Sequence, residues 1–265
     1  RLEDDEDTPA IILTVTDQFR NIVRRLTGPT NEGIHRIAWD LRYTQPTPVR
    51  AEEDDESWDD TRGAWMAPPG TYTVRLSKYI DGTFSPLGDA QRFEVVSLDR
   101  QSLPAGDMQT RQQFQRKVSD LRQAIDALSQ VKRTTEVRLN SLKQALQQTP
   151  RDTMSLVSRV RNLQRELDTM TIVLNGDESV SSRFEPTSPS LMDRINRAGR
   201  SSRSTAEITA THRQEYRIAF ELFTELRERL DDLIENELAP LEQEAEAIGA
   251  PWTPGRDIPK INSSD

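Results

Sequence analysis

The 265 residues carry 35 basic and 44 acidic side chains, a net charge of −9, with 34% hydrophobic residues and no cysteine. A disulfide framework and a thiolate metal site are thereby excluded. No apolar run approaches the roughly 18 residues that a membrane-spanning helix needs, so membrane insertion is not expected.

The charge is unevenly distributed. Residues 1–100 hold 12 basic and 19 acidic side chains, residues 101–204 hold 17 and 11, and residues 205–265 hold 6 and 14. A basic middle facing an acidic end is expected to pair along antiparallel helices. A nucleic-acid partner for the basic part is disfavoured by the net charge. The chain begins Arg1-Leu2 without methionine or a signal-peptide pattern, as expected of a piece of something longer.

In chain order, residues 1–8 are an acidic lead-in. Alternation at Ile11, Leu13 and Val15 predicts a strand, Asp17-Gln18-Phe19-Arg20 a turn, and Asn21 to Leu26 the return strand, broken by Gly28-Pro29. His35, Ile37, Trp39 and Leu41 then fall on one face of a further strand. Pro68-Pro69-Gly70 turns into a strand over Thr71–Ile80, on which Tyr72, Val74 and Leu76 share a face. Asp81-Gly82 signals a hairpin, and Gln91–Val96 closes the set. Short alternating strands between turns predict a β-sandwich over residues 1–98. An acidic insertion at 44–66 includes Glu52 to Glu56, Asp59 and Asp60 around Trp58. Its carboxylates suit a solvated loop. Calcium is the alternative, although no EF-hand spacing is present.

Asp17 to Leu26, Gly33-Ile34-His35-Arg36-Ile37-Ala38-Trp39-Asp40 and Pro69-Gly70-Thr71-Tyr72-Thr73-Val74 together resemble the FlgD-like immunoglobulin module. Arg20 stands where that pattern often carries glycine, so a different type of first turn is expected. Such modules commonly sit toward the C-terminal side of secreted bacterial proteins.

Residues 99–250 read as helical. From Met108 to Gln148, apolar residues recur at Val118, Leu121, Ile125, Leu128, Leu139, Leu142 and Leu146, with Lys132 and Thr135 in the seam at one skipped turn. Such a helix would run about 60 Å. Pro150 ends it. Asp152 or Thr153 caps a second helix whose seam is Leu156, Val160, Leu163, Leu167, Met170 and Leu174, stopped by Asn175-Gly176. A polar loop over 176–188 precedes a short helix that ends near Gly199. The last helix spans about Thr205 to Ile248, with a stripe from His212 through Leu233 and again from Leu238 to Ile248. Pro240 should kink or restart it. The first and last helices match in length, and the two shorter pieces together nearly equal one of them. The expected fold is therefore α+β by segregated domains: a sandwich followed by a long antiparallel three-stave bundle with a broken middle helix, and a tail at 251–265.

This arrangement, closing on Gly249-Ala250-Pro251-Trp252-Thr253-Pro254-Gly255-Arg256, resembles the C-terminal region of large secreted bacterial proteins with sortilin-like or BNR-repeat β-propellers. These are often labelled glycosyl hydrolases. The resemblance implies a secreted, periplasmic or cell-surface location, with the upstream propeller as partner. It implies that any sugar-active site lies in that propeller and not here. Homo-oligomerisation is a further expectation.

No nucleophile elbow, phosphate loop or dinucleotide fingerprint occurs, and neither catalytic residues nor a cofactor is expected. His35 and His212 are isolated and read as structural. Asp231-Asp232 reads as a solvated pair. Arg194, Arg197, Arg200 and Arg203 form a ridge expected to pair with the acidic last helix. Trp58, Trp65 and Trp252 are the candidate ligand contacts, because indoles can stack on sugars. Packing of Trp65 against the sandwich and of Trp252 against the bundle is the competing reading.

Overall fold

A computed structural model of the chain describes residues 9–44, 64–96, 107–183, 185–200 and 207–258. A small antiparallel sheet is followed by helices. The strands are β1 (Ala10–Thr16), β2 (Ile22–Gly28), β3 (Gly70–Ile80), β4 (Thr83–Pro86) and β5 (Gln91–Val95), and the first helix is α1 (Met108–Gln148). Two compact units result, Arg1–Asp120 with Gly199–His212 and Leu121–Ala198 with Arg213–Asp265, the division falling within α1.

The sheet order is β2-β1-β3-β4, and β5 also pairs with β3. β3 is long enough for β5 to pair along its first half and β4 along its second. The hairpin at Asp81-Gly82 forms as its sequence predicts. Both residues have positive φ, +46° and +74°, which the tight two-residue turn requires. Arg20 closes the β1–β2 turn at φ +67°, the left-handed conformation that glycine adopts most readily. Asp17 supports that turn by accepting from the backbone N–H groups of Phe19 and Asn21.

Residues opposite one another across neighbouring strands share a face. One face carries Val15, Tyr72, Val74 and Phe93, with Val23 at the bulge in β2. Tyr43, Trp65 and Ala67 complete its core, and Trp39 packs edge-on against Tyr72 and Phe93. The strand expected over His35–Leu41 does not form. Asp40 accepts from the Arg42 N–H and Leu41 turns to φ +59°, so the chain bends where a strand would continue. Only an isolated bridge between Arg42 and Met66 remains. Among the described residues, this face is therefore covered by irregular segments and not by a second sheet.

The helices after α1 are α2 (Met154–Asn175), α3 (Glu178–Ser181), α4 (Leu191–Gly199), α5 (Ala210–Asp232) and α6 (Ala239–Ala247), with a π-helical segment, Leu233–Leu238, between the last two. α2 buries Leu156, Val160, Leu163, Leu167, Met170 and Leu174, the six positions set by its spacing. Each contributes about 1.5–3 kcal/mol as an upper estimate. Gly176 caps α2 at φ +95°. Thr153 is the N-cap residue, and Asp152 supplies the side-chain acceptor, to the Met154 N–H. α3 interrupts the expected polar loop because Asp177 accepts from the N–H groups of Ser179 and Val180. α4 opens on a reciprocal cap in which Ser190 and Asp193 each satisfy the other's backbone N–H.

Along α1 the seam includes buried Lys132 and Thr135 between Leu128 and Leu139. Lys132 bonds Glu136 at 2.6 Å, and Thr135 donates to the Val131 carbonyl. Cross-helix ion pairs follow the charge blocks: Arg138 with Glu242, Arg159 with Glu244, and both Arg194 and Arg197 with Glu215. Arg229 reverses the sense, binding Glu166 on α2 as well as Asp232 and Glu237.

Pro240 restarts the last helix through the π segment. The Ala239 N–H reaches back five residues to the Ile234 carbonyl. A proline in an α-helix has no N–H to give and crowds the carbonyl four residues earlier. One extra residue in the preceding turn relieves that crowding. The segment also reconciles a five-residue step, because Leu233 and Leu238 are both fully buried.

Candidate binding face

The sheet's other face is polar and concave. It lines a depression of about 840 Å³ that includes Thr14, Thr16, Thr71, Thr73, Ser77, Arg20, Arg25, Arg75 and Arg92. Strand register brings these residues together. Thr14 lies opposite Arg25 on one side and Arg75 on the other, while Thr73 lies between Thr16 and Arg92. With strands 4.7–4.9 Å apart, the Arg25 and Arg75 backbones stand about 10 Å apart across Thr14. Arg25 is held with its guanidinium 5.2 Å from the centre of the Phe84 ring. The Thr16 hydroxyl donates to the Thr73 carbonyl. Two carboxylates share this face: Asp17, which caps the turn, and Glu94, opposite Thr71. The arrangement is an array of guanidinium and hydroxyl donors with little negative charge. It suits binding an anionic, oxygen-rich ligand and supplies no nucleophile–base pair.

Beneath the opposite face, burial pushes the phenols of Tyr43 and Tyr72 above their ordinary range, with Asp17 adding to the shift of Tyr43 and the neighbouring Tyr43 phenol to that of Tyr72. The Tyr72 hydroxyl donates to the Pro68 carbonyl at 2.7 Å. These are core groups.

The residues singled out in the sequence are dispersed. Trp58 and the carboxylates at 52–60 lie outside the described residues. Trp65 is buried and stacked on Tyr43, with ring centres 5.0 Å apart. Trp252 is half exposed, and its indole N–H donates to the carbonyls of Arg256 and Asp257. His35, expected on one strand face with Trp39, is instead exposed in an irregular segment, and its Nε2 lies 2.8 Å from the Asn31 carbonyl oxygen. His212 is half-buried at the start of α5, with its Nδ1 3.3 Å from the Thr209 N–H while its own N–H donates to the Thr209 hydroxyl. Burial holds its imidazole below the ordinary value. Asp231 and Asp232 are exposed, and Asp232 binds Arg229 and Asn236. Of the arginine ridge, Arg194 and Arg197 pair with Glu215, and Arg203 lies outside the described residues. Among the described residues, no group of three or more His, Asp or Glu side chains is placed to hold a metal ion. Among the described residues, no helix is long and apolar enough to cross a membrane.

The sequence offers no motif for the polar face, because its arginines come from three strands and the β1–β2 turn. The one available signal is the polar half of the alternation in β1 and β3. Compared with protein families, with curated proteins and with solved structures, the chain matches none.

Proposed function

We propose that the chain is a non-catalytic structural and interaction module that positions or assembles a larger secreted bacterial protein, with a β-propeller of the sortilin-like, BNR-repeat kind as its upstream partner. In this reading the sheet unit is a reduced FlgD-like, immunoglobulin-type module, and the helices form three staves with the middle one broken. The observation that carries the proposal is the use of the helical charges. Arg138–Glu242, Arg229–Glu166 and Arg194–Glu215 join separate helices, in keeping with a stiff spacer. The Asp17–Arg20 turn is compatible with this reading, since Arg20 takes the left-handed conformation that glycine adopts most readily.

The test is to produce this chain and the propeller region as separately tagged, folded proteins and to follow their association by light scattering. A stable complex, or self-association of this chain alone, is expected. A strict monomer that ignores the propeller at high concentration removes the proposal. Half-exposed Trp252 favours a second reading, a carbohydrate-binding accessory region. Silence across a glycan array, with indole fluorescence unchanged, would discard it.

A further inference from the structure

We propose that the polar face of the sheet binds an acidic polysaccharide, with Arg75 and Arg92 as the principal anion contacts and the threonine hydroxyls between them meeting the sugar. This goes beyond the positioning role and depends on neither the propeller nor Trp252.

Three observations carry it. The first is charge complementarity: four arginines line this depression in a chain of net charge −9, against Asp17 within it and Glu94 beside it. Arg75 and Arg92 are exposed, and no carboxylate among the described residues pairs with either. The second is the spacing of donors, because Thr73 sits directly opposite Arg92 and two residues from Arg75. Guanidinium groups flanking hydroxyls match a ligand that alternates carboxylate or sulfate with hydroxyl groups. The third is shape, since a broad depression of about 840 Å³ accommodates several sugar units.

The same observations disfavour other polyanions. Single-stranded nucleic acid is gripped by successive stacked aromatics, and the aromatic ring lining this face, Phe84, lies beside the Arg25 guanidinium. An acidic peptide that adds as a strand would pair along an edge, here β2, β4 or β5, whereas the guanidinium and hydroxyl groups of this depression project from the face of the sheet.

The experiment titrates the full chain with heparin and polygalacturonate, with dextran as the neutral control and duplex DNA and polyglutamate as competing polyanions. Binding to heparin or polygalacturonate that weakens with salt is expected, with dextran inert. The double variant R75E/R92E should bind about tenfold more weakly or worse, equivalent to about 1.4 kcal/mol or more. R227E, which reverses an exposed charge on α5, should bind as the parent does. Circular dichroism verifies folding, and R75Q/R92Q replaces the reversal if it unfolds. Absence of binding to both acidic glycans overturns the proposal, as does equal weakening by R227E. DNA or polyglutamate binding as tightly as the glycans also overturns it, in favour of a nucleic acid or an acidic protein.

Discussion

At the start of α5, His212 fills the place that glutamate or glutamine takes in a capping box, accepting from the Thr209 N–H through Nδ1. Only the neutral ring can accept there, and burial already favours that form. Above the ordinary value of 6.5, both folded and unfolded chains carry the neutral ring, and the contribution to stability is complete. Below it, the unfolded chain takes up the proton first, so stability falls with pH until the folded ring titrates. Urea unfolding between about pH 7 and pH 5 should show this decline, and H212Q, which keeps an acceptor without titrating there, should flatten it. T209A should cost about 1 kcal/mol at neutral pH. A second residue-scale device is Gly255. Its φ of +95° and the 2.6 Å that a Cβ would leave to Arg138 Nε exclude a side chain, while Glu242 holds that arginine in place. G255A should destabilise by about 1–3 kcal/mol in the same assay, whereas an alanine at exposed Gln243 should change little.

Among the elements, the π segment has two candidate causes, and their magnitudes separate them. Pro240 would crowd an α-helix by about 3 kcal/mol. Returning the segment to α-geometry would rotate Leu238, Leu241 and Ala245, all fully buried, out of their seats. Two leucines alone represent about 3–6 kcal/mol of burial. Packing therefore holds the extra residue at least as firmly as proline does. P240A should keep the π segment in a crystal structure, with stability changed by less than about 1 kcal/mol, whereas L238A should cost about 2–5 kcal/mol. A P240A structure showing a regular α-helix would assign the segment to proline instead. The sequence already contains the clue, a five-residue step between Leu233 and Leu238 just before a proline. Elsewhere, legibility tracks periodicity. The α2 seam is read in full because six apolar positions repeat over its length. α3 is too short to have a period and exists through the cap at Asp177. The alternation at His35, Ile37, Trp39 and Leu41 misleads because Asp40 and Leu41 bend the backbone, which side-chain hydropathy does not report.

For the whole molecule, the separation of basic and acidic blocks along the chain has a structural outcome: four of the cross-helix pairs take their arginine from the basic block and their glutamate from the acidic one. Several are partly solvated, so their collective effect should be modest and sensitive to salt. Raising NaCl from about 0.05 to 1 M should lower the unfolding free energy by about 1–2 kcal/mol, and R138M/E242M should lose less stability than R138M alone. The single variant leaves Glu242 buried without its counter-ion, while the double variant removes both charges. The polar sheet face stands at the other extreme of legibility. Arg25, Arg75 and Arg92 are scattered through 68 positions of sequence, and only strand register makes them neighbours. Buried Lys132 and Thr135 carry one more consequence. A seam of uniform leucines would let long helices slide by a turn at little cost. A buried polar notch makes such a slip costly, because it would set Lys132 and Thr135 against leucines even though Glu136, on the same helix, travels with the lysine.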